Sequence, residues 1–228
     1  MRELKKIFII FFGPPGSGKG TQVDMLAESL KLPVISTGEL LRHEQEIGSP
    51  VGLEVKNLVD SGQMVPDAII EHIIDKRLNM PDAARGAVFD GYPRRIEQQQ
   101  NFLNRLKNLT KPTDIILAVL INVSDGVVEE RLSGRRVCDC GASYHIKYNP
   151  TEVDGICDIC GKKTKTRVDD QLEIIKQRLI YYHEHIKPLL DYWSDKRFLI
   201  SINGEQDIDT IKKELNQKIN LRLYHGHA

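Results

Sequence analysis

Residues 7–21 read Ile-Phe-Ile-Ile-Phe-Phe-Gly-Pro-Pro-Gly-Ser-Gly-Lys-Gly-Thr. The apolar run at 7–12 predicts a buried strand. Apolar residues recur at helical spacing from Thr21 onward, which predicts a helix. Four glycines and a lysine between strand and helix are typical of a P-loop, whose backbone N–H groups wrap a phosphate while the lysine reaches the β- and γ-phosphates. A plain Gly/Pro turn needs neither feature. We therefore predict a triphosphate-binding loop that contains Gly16, Ser17, Gly18, Lys19, Gly20 and Thr21.

The loop departs from the general P-loop pattern at one position. Gly20 follows Lys19, so the hydroxyl group comes one residue late, at Thr21. The usual side-chain ligand for Mg²⁺ is therefore absent, and phosphate oxygens and water must provide most of the ligands of the metal. Asp90 follows the apolar run 87–89, which places it at the carboxyl edge of the predicted sheet, where ligands bind. It is a candidate to hold water ligands of the metal; a turn or helix-capping aspartate is the alternative.

Short apolar runs alternate with helix-length stretches along the chain. The runs cover 7–12, 34–35, 87–89, 115–123 and 198–202, and helical patterns cover 21–30, 66–78 and 171–193. This alternation predicts an α/β fold with a doubly wound, five-stranded parallel sheet that carries helices on both faces. Residues 134–168 contain turn signals but no helical period, so we interpret them as an inserted subdomain.

Charge and hydropathy exclude several classes of partner. The chain has 228 residues with 32 basic and 32 acidic side chains, and its formal net charge is zero. A binder of nucleic acid or of acidic membranes carries a basic excess, so we expect a small ligand instead. The longest uninterrupted apolar runs, 7–12 and 115–121, have six and seven residues, whereas a membrane span needs about 20. With no export signal, we expect a cytoplasmic monomer with reduced thiols.

The four cysteines lie close together in the inserted segment, as Cys138-x-Cys140 and Cys157-x-x-Cys160. Four thiolates at this spacing predict a structural Zn²⁺ site, which would supply folding energy to a segment with few apolar residues. The first pair is one residue shorter than the usual knuckle, so Asp139 and His145 are candidate replacements for Cys138. A disulfide or redox role and free buried thiols are the other interpretations.

Five motifs occur in a fixed order along most of the chain. They are Gly-Pro-Pro-Gly-Ser-Gly-Lys-Gly-Thr at 13–21, Ser-Thr-Gly-Glu-Leu-Leu-Arg at 36–42, Asp-Gly-Tyr-Pro-Arg at 90–94 with Gln98, Gly-Arg-Arg at 134–136 and Thr-Arg-Val-Asp-Asp at 166–170. Together they resemble the adenylate kinase family of nucleoside monophosphate kinases. The resemblance implies Mg²⁺-dependent, reversible transfer of the γ-phosphate of ATP to AMP, giving two ADP. It also implies a core at 1–35, 66–133 and 169–228, a small helical AMP-binding insert at 36–65 and a closing, zinc-stapled lid at 134–168.

The same resemblance implies the site residues. AMP would meet Thr37, Arg42, Gln63, Met64, Val65, Gly91, Tyr92, Pro93, Arg94, Gln98, Arg167 and Arg178, with Thr37 and Gln98 at the base. ATP would meet the loop together with Arg131, Arg135, Ser143, Tyr144 and the backbone of Gln206. The catalytic set would be Lys19, Asp90, Arg94, Arg131, Arg135, Arg167 and Arg178.

Arginine suits this chemistry because its planar guanidinium group binds phosphate oxygens bidentately and stays charged when partly buried. We expect no general base and no catalytic histidine, since a monophosphate with a second pKa of about 6 is already largely ionised. Asp169 and Asp170 either cap the next helix or orient the arginines. Transfer to UMP, CMP or GMP and a P-loop ATPase switch are the alternative functions; the zero net charge disfavours a zinc ribbon that binds nucleic acid.

Overall fold

The computed structural model describes residues 5–61 and 63–225. Residues 1–4 and 226–228 of the expected core and Gly62 of the expected AMP-binding segment lie outside the described residues. The strands are β1 (Ile7–Phe12), β2 (Val34–Ser36), β3 (Gly86–Asp90), β4 (Ile115–Asn122), β5 (Arg135–Val137), β6 (Ser143–His145) and β7 (Leu199–Asn203). The α-helices are α1 (Lys19–Leu30), α2 (Thr37–Glu46), α3 (Pro50–Asp60), α4 (Asp67–Leu78), α5 (Ile96–Leu109), α6 (Asp125–Ser133), α7 (Leu172–Asp195) and α8 (Ile208–His225). Short 3₁₀ helices cover Pro81–Arg85 and Val168–Asp170.

The central sheet of the described chain has five strands in the order β2-β3-β1-β4-β7, and every neighbouring pair is parallel. Strand β1 lies in the middle, where Ile7 is in register with Gly86 on one side and with Ile115 on the other. The predicted five-stranded α/β fold is confirmed. Strands β2 and β3 lie on one side of β1, and β4 and β7 lie on the other. The strand order therefore reverses at β1, and ligands in open α/β sheets bind at the carboxyl end of the strands at this point.

The continuous apolar run of β1 is explained by burial on both faces of the sheet. Ile9 and Phe11 belong to one apolar cluster, which α1, α6, α8 and the first part of α7 complete. Phe8, Ile10 and Phe12 belong to a second cluster, which α4, α5 and the last part of α7 complete. Helices on both sides thus hold the sheet rigidly and fix the positions of the loops at its carboxyl edge.

The segment between α6 and the 3₁₀ helix at Val168 has a different construction. All of its residues are described, and they form the antiparallel pair β5–β6, isolated bridges and turns, without a helix. Its small buried cluster consists of Cys138, Tyr144 and Cys157 with Ala142 packed against it. Among the helices of residues 5–61 and 63–225, none has the length and apolar character that crossing a bilayer requires.

Candidate active site

The loop between β1 and α1 wraps around the ammonium group of Lys19. Nζ donates hydrogen bonds to the carbonyl oxygens of Gly13 and Pro14, both at 2.7 Å. Gly13 and Gly16 have φ of 146° and 74°. A Cβ atom at Gly13 would lie 2.5 Å from the carbonyl oxygen of Ile121, and one at Gly16 would lie 2.6 Å from Leu132 Cγ. The loop can keep this shape only with glycine at both positions.

The surroundings of Lys19 favour an anionic ligand. Burial lowers the pKa of Lys19 to about 8; Asp90 opposes this shift, and Arg94, Arg178 and Arg135 add to it. An ammonium group that is poorly solvated and surrounded by guanidinium groups gains most from a negatively charged partner. The loop, the lysine and the N-terminus of α1 together have the features that are typical of an anion-binding site.

A cleft of about 960 Å³ opens along the carboxyl edge of the sheet. Its size is at the upper end of the range for small-molecule sites. Among the described residues, six arginines line it, and each is one of the predicted phosphate ligands. The predicted residues that line this cleft are Gly16, Ser17, Gly18, Lys19, Gly20, Thr21, Arg42, Met64, Asp90, Gly91, Pro93, Arg94, Arg131, Arg135, Ser143, Tyr144, Arg167, Arg178 and Gln206.

A second cavity, of about 80 Å³, adjoins the cleft between α2, α3 and the start of α5. Its lining contains most of the predicted AMP ligands, namely Thr37, Arg42, Gln63, Met64, Val65, Gly91, Tyr92, Arg94, Gln98 and Arg178. The carbonyl oxygen of Gly91 accepts hydrogen bonds from Thr37 Oγ1 at 3.1 Å and Arg94 Nε at 2.7 Å. The structure therefore brings the predicted acceptor residues together beside the phosphate loop.

Gln98 is buried in the wall of this second cavity, and both ends of its amide have protein partners. Oε1 accepts a hydrogen bond from the backbone N–H of Arg94 at 2.8 Å, and Nε2 donates to Asp67 Oδ1 at 2.6 Å. Arg95 forms an ion pair with the same carboxylate. In the sequence, nothing distinguishes Asp67 beyond its being an acidic residue at the start of a helix.

Two aspartates hold two of the arginines in place. Asp170, whose side chain is fully buried, accepts from Arg135 Nε at 2.8 Å and from Arg135 Nη2 at 2.5 Å. Asp169 accepts from Arg178 Nη1 at 2.9 Å. Neither side chain caps α7. Of the two interpretations that the sequence left open, the structure selects the one in which these aspartates orient the arginines.

The arginines lie close enough to destabilise one another's charge. Burial, and then the neighbouring Arg135 and Arg42, lower the pKa of Arg167 to about 10. Burial also lowers the pKa of Arg94 and of Arg178. Such a concentration of fixed positive charge stabilises a ligand on which negative charge is spread over several oxygens.

Tyr148 is a cleft residue that the sequence analysis missed. Its ring lies 5.9 Å from the Arg131 guanidinium carbon, and its hydroxyl group donates to Glu130 at 2.8 Å. Arg131 in turn donates to the carbonyl oxygen of Ser17 at 3.3 Å. A ring and a guanidinium plane beside the phosphate loop offer stacking surfaces for a flat ligand. An isolated tyrosine in a turn-rich segment carries no sequence signal for this position.

Two of the predicted ATP contacts have other partners. The Tyr144 hydroxyl group lies 3.3 Å from Cys157 Sγ and accepts from the backbone N–H of Asp158 at 2.9 Å, so it belongs to the cysteine cluster. The side chain of Gln206 donates to the Asn203 carbonyl oxygen and to Glu214, both at 3.1 Å. With its side chain held, Gln206 has only its backbone free for the predicted contact.

The four cysteines form one cluster, with all sulfur atoms within 4.8 Å of one another. The pairs Cys138–Cys160 and Cys140–Cys157 have sulfur separations of 3.4 and 3.5 Å. Tetrahedral zinc with bonds of about 2.3 Å requires separations of about 3.8 Å, so the arrangement fits this metal after a small expansion. The contact of the Tyr144 hydroxyl group with Cys157 Sγ lowers the pKa of that thiol to about 6, which favours the thiolate that a metal binds.

The short first pair reaches the cluster because of its turn. Gly141 adopts φ of 95°, and its N–H donates to the carbonyl oxygen of Cys138 at 3.0 Å. The two candidate replacements for Cys138 have other partners. Asp139 pairs with Lys165, and His145 Nδ1 accepts from the backbone N–H of Lys147 at 3.0 Å. The cluster therefore consists of the four cysteines, all of them unbridged.

The profile of the family described as adenylate kinase matches residues 11–198. The chain belongs to the adenylate kinase family. An adenylate kinase of Methanothrix thermoacetophila is 44% identical over 209 residues, which is 92% of this chain and 96% of the relative. One of Methanosarcina barkeri is 42% identical over 207 residues (91% and 95%), and one of Clostridium botulinum is 40% identical over 204 residues (89% and 94%).

Membership in the adenylate kinase family confirms the resemblance that the five motifs carried. It confirms the prediction that the chain is an enzyme and supports nucleotide phosphoryl transfer as its activity. The cysteine cluster agrees with a metal-stapled insert within that fold.

Proposed function

We propose that the chain transfers the γ-phosphate of ATP to AMP, reversibly, to give two ADP. The observation that carries this proposal is the pairing of two cavities. The phosphate loop opens on the large cleft, the smaller cavity adjoins it, and Arg42, Arg94 and Arg178 line both. A transfer reaction needs two ligands held side by side with their phosphates on shared cations. An ATPase switch has no use for the second cavity.

Each predicted ligand has a proposed role on one side of the cleft. On the donor side, Lys19 and the loop N–H groups bind the triphosphate, Arg131 and Tyr148 face its base, and Ser143, Tyr144 and the Gln206 backbone complete the wall. On the acceptor side, Arg42 and Arg94 bind the AMP phosphate, Thr37 and Gln98 meet the base, and Gln63, Met64, Val65, Gly91, Tyr92 and Pro93 line the pocket.

Between the two nucleotides, Arg135, Arg167 and Arg178 surround the group that moves. Asp170 and Asp169 hold Arg135 and Arg178 in position before any ligand binds. Their guanidinium N–H groups can therefore stabilise the negative charge that develops on the phosphoryl oxygens without first having to reorient. The AMP phosphate attacks without losing a proton, because it is already largely ionised at neutral pH. No general base is required.

Water exclusion is the proposed purpose of the inserted segment. Residues 134–168 form a lid over the donor and residues 36–65 an AMP-binding segment, while 1–35, 66–133 and 169–228 form the core. Closing the lid would keep water from taking the phosphate and would bring Arg135 and Arg167 to the transferring group. We also propose that the protein acts as a monomer in the cytoplasm, without nucleic-acid or membrane partners.

The proposal includes two metals with different roles. Asp90 would hold Mg²⁺ through water, and the bound metal would neutralise charge on the phosphates of ATP. This fits the geometry, because a Cβ atom at Gly20 would lie 3.9 Å from Asp90 Oδ2, so the carboxylate faces the loop. Zn²⁺ would be held by Cys138, Cys140, Cys157 and Cys160, and it would stabilise the lid without contacting the substrate.

Initial rates with Mg-ATP test this proposal, using AMP, CMP, UMP, GMP or no acceptor. We expect strong preference for AMP and negligible hydrolysis. Preference for another monophosphate would leave phosphoryl transfer standing and overturn the roles of Thr37 and Gln98 at the base. Hydrolysis that is independent of acceptor would favour the ATPase switch.

A further inference from the structure

We propose that Asp67 is a positioning residue that sets the choice of acceptor base, by fixing the orientation of the Gln98 amide. This inference rests on the proposed function, in which Gln98 meets the base of AMP. Asp67 is the first residue of α4, and Gln98 lies in the first turn of α5. The hydrogen bond between them is 2.6 Å long and joins positions 31 residues apart in the chain.

The two partners of Gln98 admit only one orientation of the amide. The Asp67 carboxylate is an acceptor only, so it must face the NH₂ group. The backbone N–H of Arg94 is a donor only, so it must face the carbonyl oxygen, which it does at 2.8 Å. A rotation of the amide by 180° would place donor against donor and acceptor against acceptor. The cost would be two hydrogen bonds, one of them to a charged group.

Each end of the fixed amide retains one bonding position. The second hydrogen of Nε2 is a donor, and the second lone pair of Oε1 is an acceptor. Adenine presents an acceptor at N1 beside a donor at its 6-amino group, which is the complement of this pair. Hypoxanthine and guanine present the reverse, a donor at N1 beside an acceptor at O6. The fixed amide therefore binds adenine and opposes a 6-oxopurine.

Neighbouring contacts keep the carboxylate itself in place. Arg95 forms an ion pair with Asp67, and the helices that carry Asp67 and Gln98 pack in the same apolar cluster, through Ile70 and Phe102. A readout group held by rigid helices discriminates better than one on a mobile loop.

The chain provides a matched control one turn further along α4. Glu71 accepts from Asn101 Nδ2 at 2.8 Å, and Arg105 lies 3.8 Å from the same carboxylate. This repeats the arrangement of carboxylate, amide and arginine between α4 and α5. Gln98 lines the smaller cavity, whereas Asn101 lines neither of the two described cavities, so Glu71 shares the structural role of Asp67 but holds an amide that does not face the base.

The test compares kcat/KM for AMP with that for inosine monophosphate, which differs from AMP only in the donor and acceptor at positions 1 and 6. Asp67→Ala should lower the AMP-to-IMP ratio about tenfold, the effect of losing one hydrogen bond to a charged group. Asp67→Asn should keep the AMP-to-IMP ratio within about threefold of the wild-type value, because the Oδ1 atom of asparagine also accepts a hydrogen bond from Gln98. Glu71→Ala should leave the ratio unchanged.

Several results would overturn the assignment. These are an unchanged ratio in Asp67→Ala, an equal loss of activity with both acceptors, or the same change in Glu71→Ala. Equal loss of selectivity in Asp67→Asn would assign the effect to charge and would refute the orientation mechanism. If the wild-type protein showed no preference for AMP, the proposed function would be refuted as well. If the wild-type protein preferred AMP and Asp67→Ala had the same AMP-to-IMP ratio, only the role of Asp67 would be refuted.

A measurement on the unmutated protein covers the case in which Asp67→Ala does not fold. The unmutated protein is labelled with ¹⁵N-glutamine, and a separate sample of Gln98→Met identifies the Gln98 side-chain resonance by its disappearance. One side-chain amide proton of Gln98 should be shifted downfield and protected from solvent exchange. Free-glutamine shifts and fast exchange for both protons would refute the fixed orientation.

Discussion

Replacing Asp170 by asparagine tests whether the arginines are oriented before a ligand binds. The substitution keeps the size of the side chain but removes its charge. Asp170 accepts from Arg135 Nε and Nη2 at 2.8 and 2.5 Å, and its Oδ1 lies 3.8 Å from Arg178 Nη1. An asparagine can accept at only one of its two positions, so its NH₂ group would face a guanidinium N–H.

The expected loss of stability follows from the burial of the pair. Removing one partner of a buried ion pair costs about 3–5 kcal/mol. The Asp170 side chain is 0% exposed, but Arg135 is 19% exposed and regains some hydration, so we expect about 2–3 kcal/mol. For a chain of 228 residues this corresponds to a fall in Tm of roughly 5–10 °C. Because a misplaced catalytic cation costs about 10²-fold in rate, kcat should fall by a similar factor.

Urea unfolding and initial-rate kinetics measure the two effects separately. Asp191→Asn is the control, since it removes an exposed pair with Lys187 whose side chains are 79% and 56% exposed, and it should cost less than about 0.5 kcal/mol. If Asp170→Asn changed stability no more than the control and kcat less than about twofold, the proposed orientation of Arg135 by Asp170 would be wrong.

Three further predictions concern other parts of the site. Arg94→Ala should raise the KM for AMP about 10²-fold and that for ATP much less, because Arg94 is a proposed ligand of the AMP phosphate; equal changes would contradict this assignment. Burial lowers the pKa of Lys19 to about 8, and only its ammonium form pairs with phosphate. The Kd for ATP should therefore stay constant with respect to Lys19 ionisation below about pH 7 and rise above pH 8, where ATP binding should be accompanied by proton uptake measured by calorimetry. Absence of proton uptake at pH 8.5 would refute this prediction. Chelation of a bound metal should lower the melting temperature of residues 134–168 and the transfer rate, whereas unchanged melting would exclude structural zinc.

Much of the fold could be predicted because its decisive signals are local. The run 7–12, the glycines after it and Lys19 specify a buried strand, a tight loop and a helix N-terminus without reference to the rest of the chain. The predicted helix at 21–30 begins earlier, at Lys19, because the last turn of the loop is already helical. Helices α5, α6 and α8 did not emerge from the helical patterns, since their apolar faces become clear only against the sheet. Helices α2 and α3 were expected only from the family resemblance, as the helical insert at 36–65.

The chemistry of single side chains was harder to predict because it depends on partners that are distant in sequence. Nothing near Tyr144 indicates that its hydroxyl group binds Cys157 rather than lying free in the cleft. The short Cys138-x-Cys140 pair looked imperfect, but Gly141 with its positive φ lets both sulfurs reach the cluster. Asp67 and Tyr148 were missed because their roles arise from one contact each, with Gln98 and with Arg131.

The fate of the γ-phosphate is the most direct test of the proposed reaction. The protein would be mixed with Mg-ATP labelled in the γ-phosphate and an equimolar mixture of AMP, CMP, UMP and GMP, and the labelled products separated at early times. We expect the label almost entirely in the β-phosphate of ADP, with little in inorganic phosphate. Label released mainly as inorganic phosphate, at a rate independent of the monophosphates, would contradict phosphoryl transfer between two bound nucleotides.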